Sequence, residues 1–133
     1  QSACRLIHGY ALGFKFIFES DTLDERNWCV DFGGLKPLKG VLDDNFDHTL
    51  LVAEDDPHKE TLLDLDKKGL AKVIIVPATG CEATAQMVFE VAEQWLKDAG
   101  FAPRVRLRSV EVTEHGANSA IYENPRLQEL RNG

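Results

Sequence analysis

The sequence is short of cysteine, short of positive charge, and without a long apolar run. Its three cysteines, Cys4, Cys29 and Cys81, are odd in number and widely spaced among 133 residues. No disulfide framework follows, and a reducing, cytoplasmic setting is expected. Fifteen basic residues against 22 acidic ones leave a formal charge of −7. That argues against a nucleic-acid backbone or an anionic membrane surface as the main partner. An anionic small molecule stays open, because a local cluster of Lys and Arg can serve one. No segment reaches the length of a membrane span, and there is no visible signal peptide, internal repeat or low-complexity tract. The chain also lacks an initiator methionine, and its first thiol is the fourth residue, which predicts a further piece upstream.

What is present is a 44% apolar fraction, enough for one globular domain with a modest core. A single domain is expected over residues 1–123, followed by a charged tail over 124–133, frayed or at best a short helix. Tyr10, Leu12, Phe14, Phe16 and Phe18 alternate with Ala11, Gly13, Lys15, Ile17 and Glu19, which predicts a long first strand. Residues 28–31 read as a short strand. Leu35, Leu38, Val41 and Leu42 predict a helix from Gly34 or Leu35, with Pro37 in its first turn and Asp43-Asp44-Asn45 at its end. Asp56 is placed to cap a helix opening at Pro57 and stopping at Gly69, and residues 73–76 form an apolar strand.

Thr79-Gly80-Cys81-Glu82 has the spacing of a capping box, in which the threonine oxygen accepts an amide and the glutamate reaches back. It opens the longest helix, with Met87, Val88, Val91, Trp95 and Leu96 toward the core and Gly100 at the end. Residues 104–114 predict a long strand whose alternation slips near Ser109, either a bulge or burial on both faces. A loop at 115–118 returns the chain through residues 119–122. Strands flanking a block of helices make the fold class α+β.

Four places carry titratable groups near element ends. Cys4 precedes His8 by four residues, and His8 falls in register with the Tyr10 face, just beyond its polar end. The pair reads either as a buried small side chain and a turn residue, or as a thiol and an imidazole aimed from one rigid strand. Asp47 and His48 are either a surface turn or a carboxylate supporting a proton-transferring imidazole. Glu82 belongs first to the capping box. Glu114 closes an apolar, arginine-rich strand as a buried acceptor or a solvated end, and His58 reads as exposed.

Cys4-x-x-x-His8-Gly9 heads the first strand, followed by Asp31-Phe32-x-x-Leu35-Lys36 and Phe46-Asp47-His48-x-x-Leu51. Pro77-x-Thr79-x-x-Glu82 then opens the long helix, and Val110-x-Val112-x-Glu114 comes near the end. In this order over about residues 4–123, these motifs resemble the 6-pyruvoyl-tetrahydropterin synthase family, most nearly its queuosine-pathway 6-carboxy-5,6,7,8-tetrahydropterin synthase branch. The resemblance implies a tunnelling fold: four antiparallel strands with two helices on one side, trimerising into a β-barrel and stacking as a homohexamer. It implies a zinc ion (Zn2+) on three histidines, His8 among them, and 7,8-dihydroneopterin triphosphate as substrate. Cys4 becomes the general base as its thiolate, and Asp47 and His48 relay a second proton. Glu114 anchors the pterin ring, with Thr79 and Glu82 also toward the substrate. Arginines of the 104–108 stretch are candidates for the triphosphate.

The chain departs from the family at Tyr10, which stands where His-Gly-His would place a second histidine. A neutral phenol is a poor zinc donor. A further zinc histidine is expected on a strand upstream of residue 1. The 57–76 stretch and the spacing from Pro77 to Glu82 are both longer than the family pattern. Two other functions stay in view: triphosphate elimination alone, giving 6-pyruvoyl-tetrahydropterin, and a zinc-less pterin-binding scaffold.

Overall fold

Phenylalanine at every second position makes the first strand. In the computed structural model, which describes residues 12–23, 25, 32–114 and 118–127, strand β1 spans Leu12–Ser20. Leu12, Phe14, Phe16 and Phe18 are half-buried along it while Gly13, Lys15 and Ile17 are exposed. It pairs antiparallel with β4 (Val105–Glu114), which pairs on its other side with β5 (Asn118–Glu123). As the middle strand, β4 supplies Val105, Leu107, Val110 and Val112 to the core, all at 1% exposure or less. Burying a side chain of this kind stabilises by about 1.5–3 kcal/mol.

The slip expected near Ser109 is a bulge. Phe18 faces Leu107 and Ile17 faces Ser109, so Arg108 is the extra residue. The bulge brings Val110 and Val112 onto the core side already taken by Val105 and Leu107. On the β5 side of the same stretch, Asn124 binds two β4 carbonyls. Its backbone N–H donates to the Arg108 carbonyl at 2.9 Å, and its side-chain amide donates to the Leu107 carbonyl at 3.0 Å. The start of the tail is therefore docked rather than frayed: Asn124 and Leu127 are buried, and residues 125–127 form a helical turn.

Helix α1 (Lys36–Phe46) follows a tight turn over Phe32–Leu35 and carries Pro37 in its first turn, as expected. It runs on through Asp43-Asp44-Asn45, which were expected to end it. The Asn45 amide donates to the Val41 carbonyl at 2.9 Å, and the Thr49 hydroxyl donates to the Asn45 carbonyl at 2.7 Å, so the polar residues support the last turn. Helix α3 (Cys81–Asp98) starts with Gly80 as its N-cap and no side-chain capping bond, which corrects the capping box built on Thr79. Thr79 is exposed in the preceding loop. The extended backbone of Gly80 lets its carbonyl accept the Thr84 N–H at 2.9 Å, and glycine is a tolerated N-cap. Val88 and Leu96 are buried with Ala85, Phe89 and Ala92, while Met87, Val91 and Trp95 flank them half-buried. Leu38 and Leu42 of α1 join α3 and β4 in this one core. Gly100, at φ +84°, turns the chain out of α3.

Sequence reasoning missed β2 (Leu50–Ala53), whose four residues are too few to show alternation. It pairs in parallel with β3 (Val73–Val76), and α2 (Lys59–Lys67) forms the crossover. The α2 start lies two residues past Pro57 because the Asp56 carboxylate accepts the His58 N–H at 2.7 Å and closes a turn instead of capping the helix. Where four antiparallel strands were expected, the described residues hold three, with β2 and β3 as a separate parallel pair.

Candidate functional site

Between β1 and α1 lies a cavity of about 640 Å³ with an apolar floor. Leu12, Phe14 and Phe16 line it from the strand, and Leu38, Leu42 and Phe46 from the helix. The Phe14 and Phe46 rings meet with centroids 5.3 Å apart. Asp47 and His48 sit at the cavity where α1 ends. The two neighbours do meet: His48 Nε2 lies 3.6 Å from Asp47 Oδ1. Both side chains are open to solvent, the imidazole at 94% exposure, so a reacting group can reach it. Asp47 is the C-cap of α1 and keeps an extended backbone, its N–H still bonded to the Asp43 carbonyl at 2.9 Å. His48 then adopts φ +56°, the left-handed conformation that helix ends usually assign to glycine.

A second group forms at the N-terminus of α3. Glu114, the last residue of β4, is half-buried and pairs across the ladder with Leu12, which lines the cavity. Val110, Val112 and Glu114 share one face of β4, the face beneath α3, so the register carries the carboxylate toward that helix start. The buried thiol of Cys81, the first residue of α3, lies at that same helix start. Burial pushes the Cys81 thiol up to about 11, and the hydrogen bond and charge of Glu114, then the charge of Glu82, push it the same way. Glu82 is exposed, with its carboxylate folded back near Gly80. Cys81 was not among the sequence candidates. Its signal was available, a thiol at the first position of a helix directly before Glu82.

Cys4, His8, Tyr10, Asp31 and His115 lie outside the described residues. His58 is exposed, as expected. Two arginines considered for the triphosphate are engaged at the end of β1. Arg106 makes hydrogen bonds of 2.9 and 3.0 Å to Asp21, whose carboxyl it holds below the usual carboxylate range, and it lies 3.6 Å from Glu19. Arg104 donates to the Thr22 carbonyl at 3.1 Å, while Arg108 stands exposed at the bulge. Among the described residues no three His, Cys, Asp or Glu side chains cluster so as to hold a metal ion, and no helix is long and apolar enough to cross a membrane.

An antiparallel sheet with two helices packed on one face, and a cavity between its first strand and first helix, define an α+β domain of a kind seen before. An uncharacterized protein from Wolinella succinogenes shares the fold with a TM-score of 0.77 and 23% identity, over 92% of this chain and 81% of that one. Residues 1–125 match the 6-pyruvoyl tetrahydropterin synthase family, and the chain belongs to it. A 6-carboxy-5,6,7,8-tetrahydropterin synthase of Aquifex aeolicus is 29% identical over 125 residues, covering 90% of this chain and 75% of that protein. One of Rickettsia bellii is 37% identical over 57 residues, 42% of this chain and 41% of that protein.

Proposed function

We propose that this chain is a subunit of a lyase that converts 7,8-dihydroneopterin triphosphate to 6-carboxy-5,6,7,8-tetrahydropterin, releasing acetaldehyde and triphosphate, in queuosine biosynthesis. The observation that carries this reading is the family match over residues 1–125, within which the Aquifex aeolicus relative bears that name over 90% of the chain. The geometry is in keeping with it. An apolar cavity suits a flat bicyclic ring, and an exposed imidazole with a carboxylate beside it stands at its end.

In this reading Glu114 accepts two hydrogen bonds from the pterin amino group and ring N–H, a bidentate fit that a neutral side chain cannot give. Cys4, as its thiolate, takes the proton from the side-chain carbon next to the ring imine, and His48 moves a second proton with Asp47 behind it. Thr79, in the loop before α3, and Glu82, in its first turn, are the further contacts to the substrate in this reading. Zinc enters through His8 alone. Tyr10 stands at the second histidine position and is a poor donor, so the remaining zinc ligands would come from upstream of residue 1; among the described residues no three donors cluster. Assembly as a homohexamer, a pair of trimeric barrels, completes the proposal.

Tyr10 also favours a second reading, a scaffold of this fold that binds pterins without turning them over. Incubation with 7,8-dihydroneopterin triphosphate and mass analysis of the products separates the possibilities. The expected result is 6-carboxytetrahydropterin with acetaldehyde from the wild type, and intact substrate from Cys4→Ala. A 6-pyruvoyl product without acetaldehyde would assign elimination alone. Pterin bound and recovered unchanged from the wild type would assign the scaffold.

A further inference from the structure

Helix α1 ends on the two residues assigned to proton transfer, and its end is built partly from further along the chain. The last four carbonyls of a helix have no partner within it. At α1 the Asp43 carbonyl accepts the Asp47 N–H at 2.9 Å, an ordinary helical bond. The next two carbonyls are taken by side chains from outside the helix. The Lys72 ammonium donates to the Asp44 carbonyl at 2.9 Å, and the Thr49 hydroxyl donates to the Asn45 carbonyl at 2.7 Å. The Lys72 carbonyl in turn accepts the Leu50 N–H at 2.8 Å. Residues 44–50 are therefore closed twice, by Thr49 and by Lys72, with Asp47 and His48 within both closures. The parallel register makes this possible. Leu50 stands opposite Val73, so the residues just before β2 and β3 come out at the same end of the pair.

An imidazole that is 94% exposed gains little from packing, so its place at the cavity is set by the backbone beneath it. That backbone holds φ +56°, which glycine would adopt freely and histidine does not. We infer that Thr49 and Lys72 are positioning residues for the Asp47–His48 couple, bracing the end of α1 so that the imidazole stays at the cavity for proton transfer. The inference rests on the reading of His48 as a proton-transfer group, and it gives the β2–α2–β3 crossover a task in the reaction. In this role neither side chain touches the substrate. Thr49→Val removes the hydroxyl at nearly constant volume, and Lys72→Met removes the charge but keeps the stem. Thr49→Ser and Lys72→Arg keep the donors.

The test is steady-state kinetics of the assembled protein with 7,8-dihydroneopterin triphosphate, beside thermal melts of each variant and a His48→Ala control. His48→Ala is expected to lower kcat by about 100-fold or more. Thr49→Val and Lys72→Met are each expected to lower kcat about tenfold, with KM within about twofold of wild type. Thr49→Ser and Lys72→Arg should stay within about twofold of wild-type kcat, because the carbonyls keep their donors. Adding Thr49→Val to His48→Ala should cost no further rate, since the brace acts only through the imidazole. Lys72 is exposed, so Lys72→Met tests the brace even where Thr49→Val melts low. A crippled His48→Ala beside unchanged kcat in Thr49→Val and Lys72→Met would overturn the inference and leave the His48 reading standing. Losses of rate that Thr49→Ser and Lys72→Arg do not restore would assign helix capping alone, and overturn it too. Full turnover by His48→Ala, or none by wild type, would overturn the His48 reading and the inference together.

Discussion

His48 occupies a backbone conformation that costs an L-residue free energy. Its φ of +56° follows directly on the C-cap of α1, where glycine is the usual occupant. The same left-handed conformation ends the helix and places His48 at the lining of the cavity, and such strain is a common mark of functional positions. His48→Gly should therefore raise the urea midpoint, by about 1 kcal/mol of stability, while abolishing turnover. A loss of stability would remove the claim of strain. Cys81 gives a second residue-scale prediction. Its folded-state proton affinity is raised from an ordinary value of 9.0 to about 11, by burial first and then by Glu114 and Glu82. Between those limits the folded chain holds a proton that the unfolded chain has released, so the stability from the neutral thiol is complete below pH 9.0 and lost as pH rises toward about 11. Urea midpoints across that window should fall more steeply for wild type than for Cys81→Val. Parallel curves would show that the thiol is not linked to folding.

At the scale of elements, the sequence was most legible where a period could repeat. Phenylalanines at 14, 16 and 18 marked β1, and a slip in parity at Ser109 marked the bulge in β4. It was least legible where one local hydrogen bond decided the outcome. Asp56 closes a turn with His58 instead of capping α2, and Gly80 takes the N-cap position that Thr79 was expected to fill. Strand β2 has only four residues, and its pairing to β3 depends on a partner 23 positions away (Leu50 with Val73) that no local pattern announces. Asn124 shows the same limit. It read as the start of a loose tail, yet it is 4% exposed and binds two β4 carbonyls beside the bulge. Asn124→Ala leaves the Leu107 carbonyl buried without that donor and removes the acceptor of the Arg126 N–H. A loss of about 2 kcal/mol in urea unfolding is expected, with an unchanged m-value. A change below about 0.5 kcal/mol would mean the bulge is held by the ladder alone.

Across the whole molecule, the candidate site was legible as a set of residue types but not as an arrangement. Asp47 beside His48, and Glu114 at a strand end, could be named from the sequence. That Glu114 would share the face of Val110 and Val112 beneath α3 depends on the bulge, since removing the extra residue at 108 would alter how the later positions of β4 sit against β1. The sheet runs β1-β4-β5, so β1 and β5 each present an outer edge among the described residues, and Ile17 and Ile121 are exposed on those strands. Open edges favour pairing with another chain, which is the contact a trimeric barrel would make. The proposed active site would then draw on the assembly as well as on one subunit. Its central claim is that Cys4, His48 and Glu114 surround a single pterin. A crystal structure of the assembled protein with neopterin tests it most directly. The account predicts Glu114 bonded to the ring, with Cys4 Sγ and the His48 imidazole each within about 3–4 Å of the ligand side chain, from one subunit or two. A pterin seated away from Glu114, or a sulfur and imidazole that share no ligand anywhere in the assembly, would contradict it.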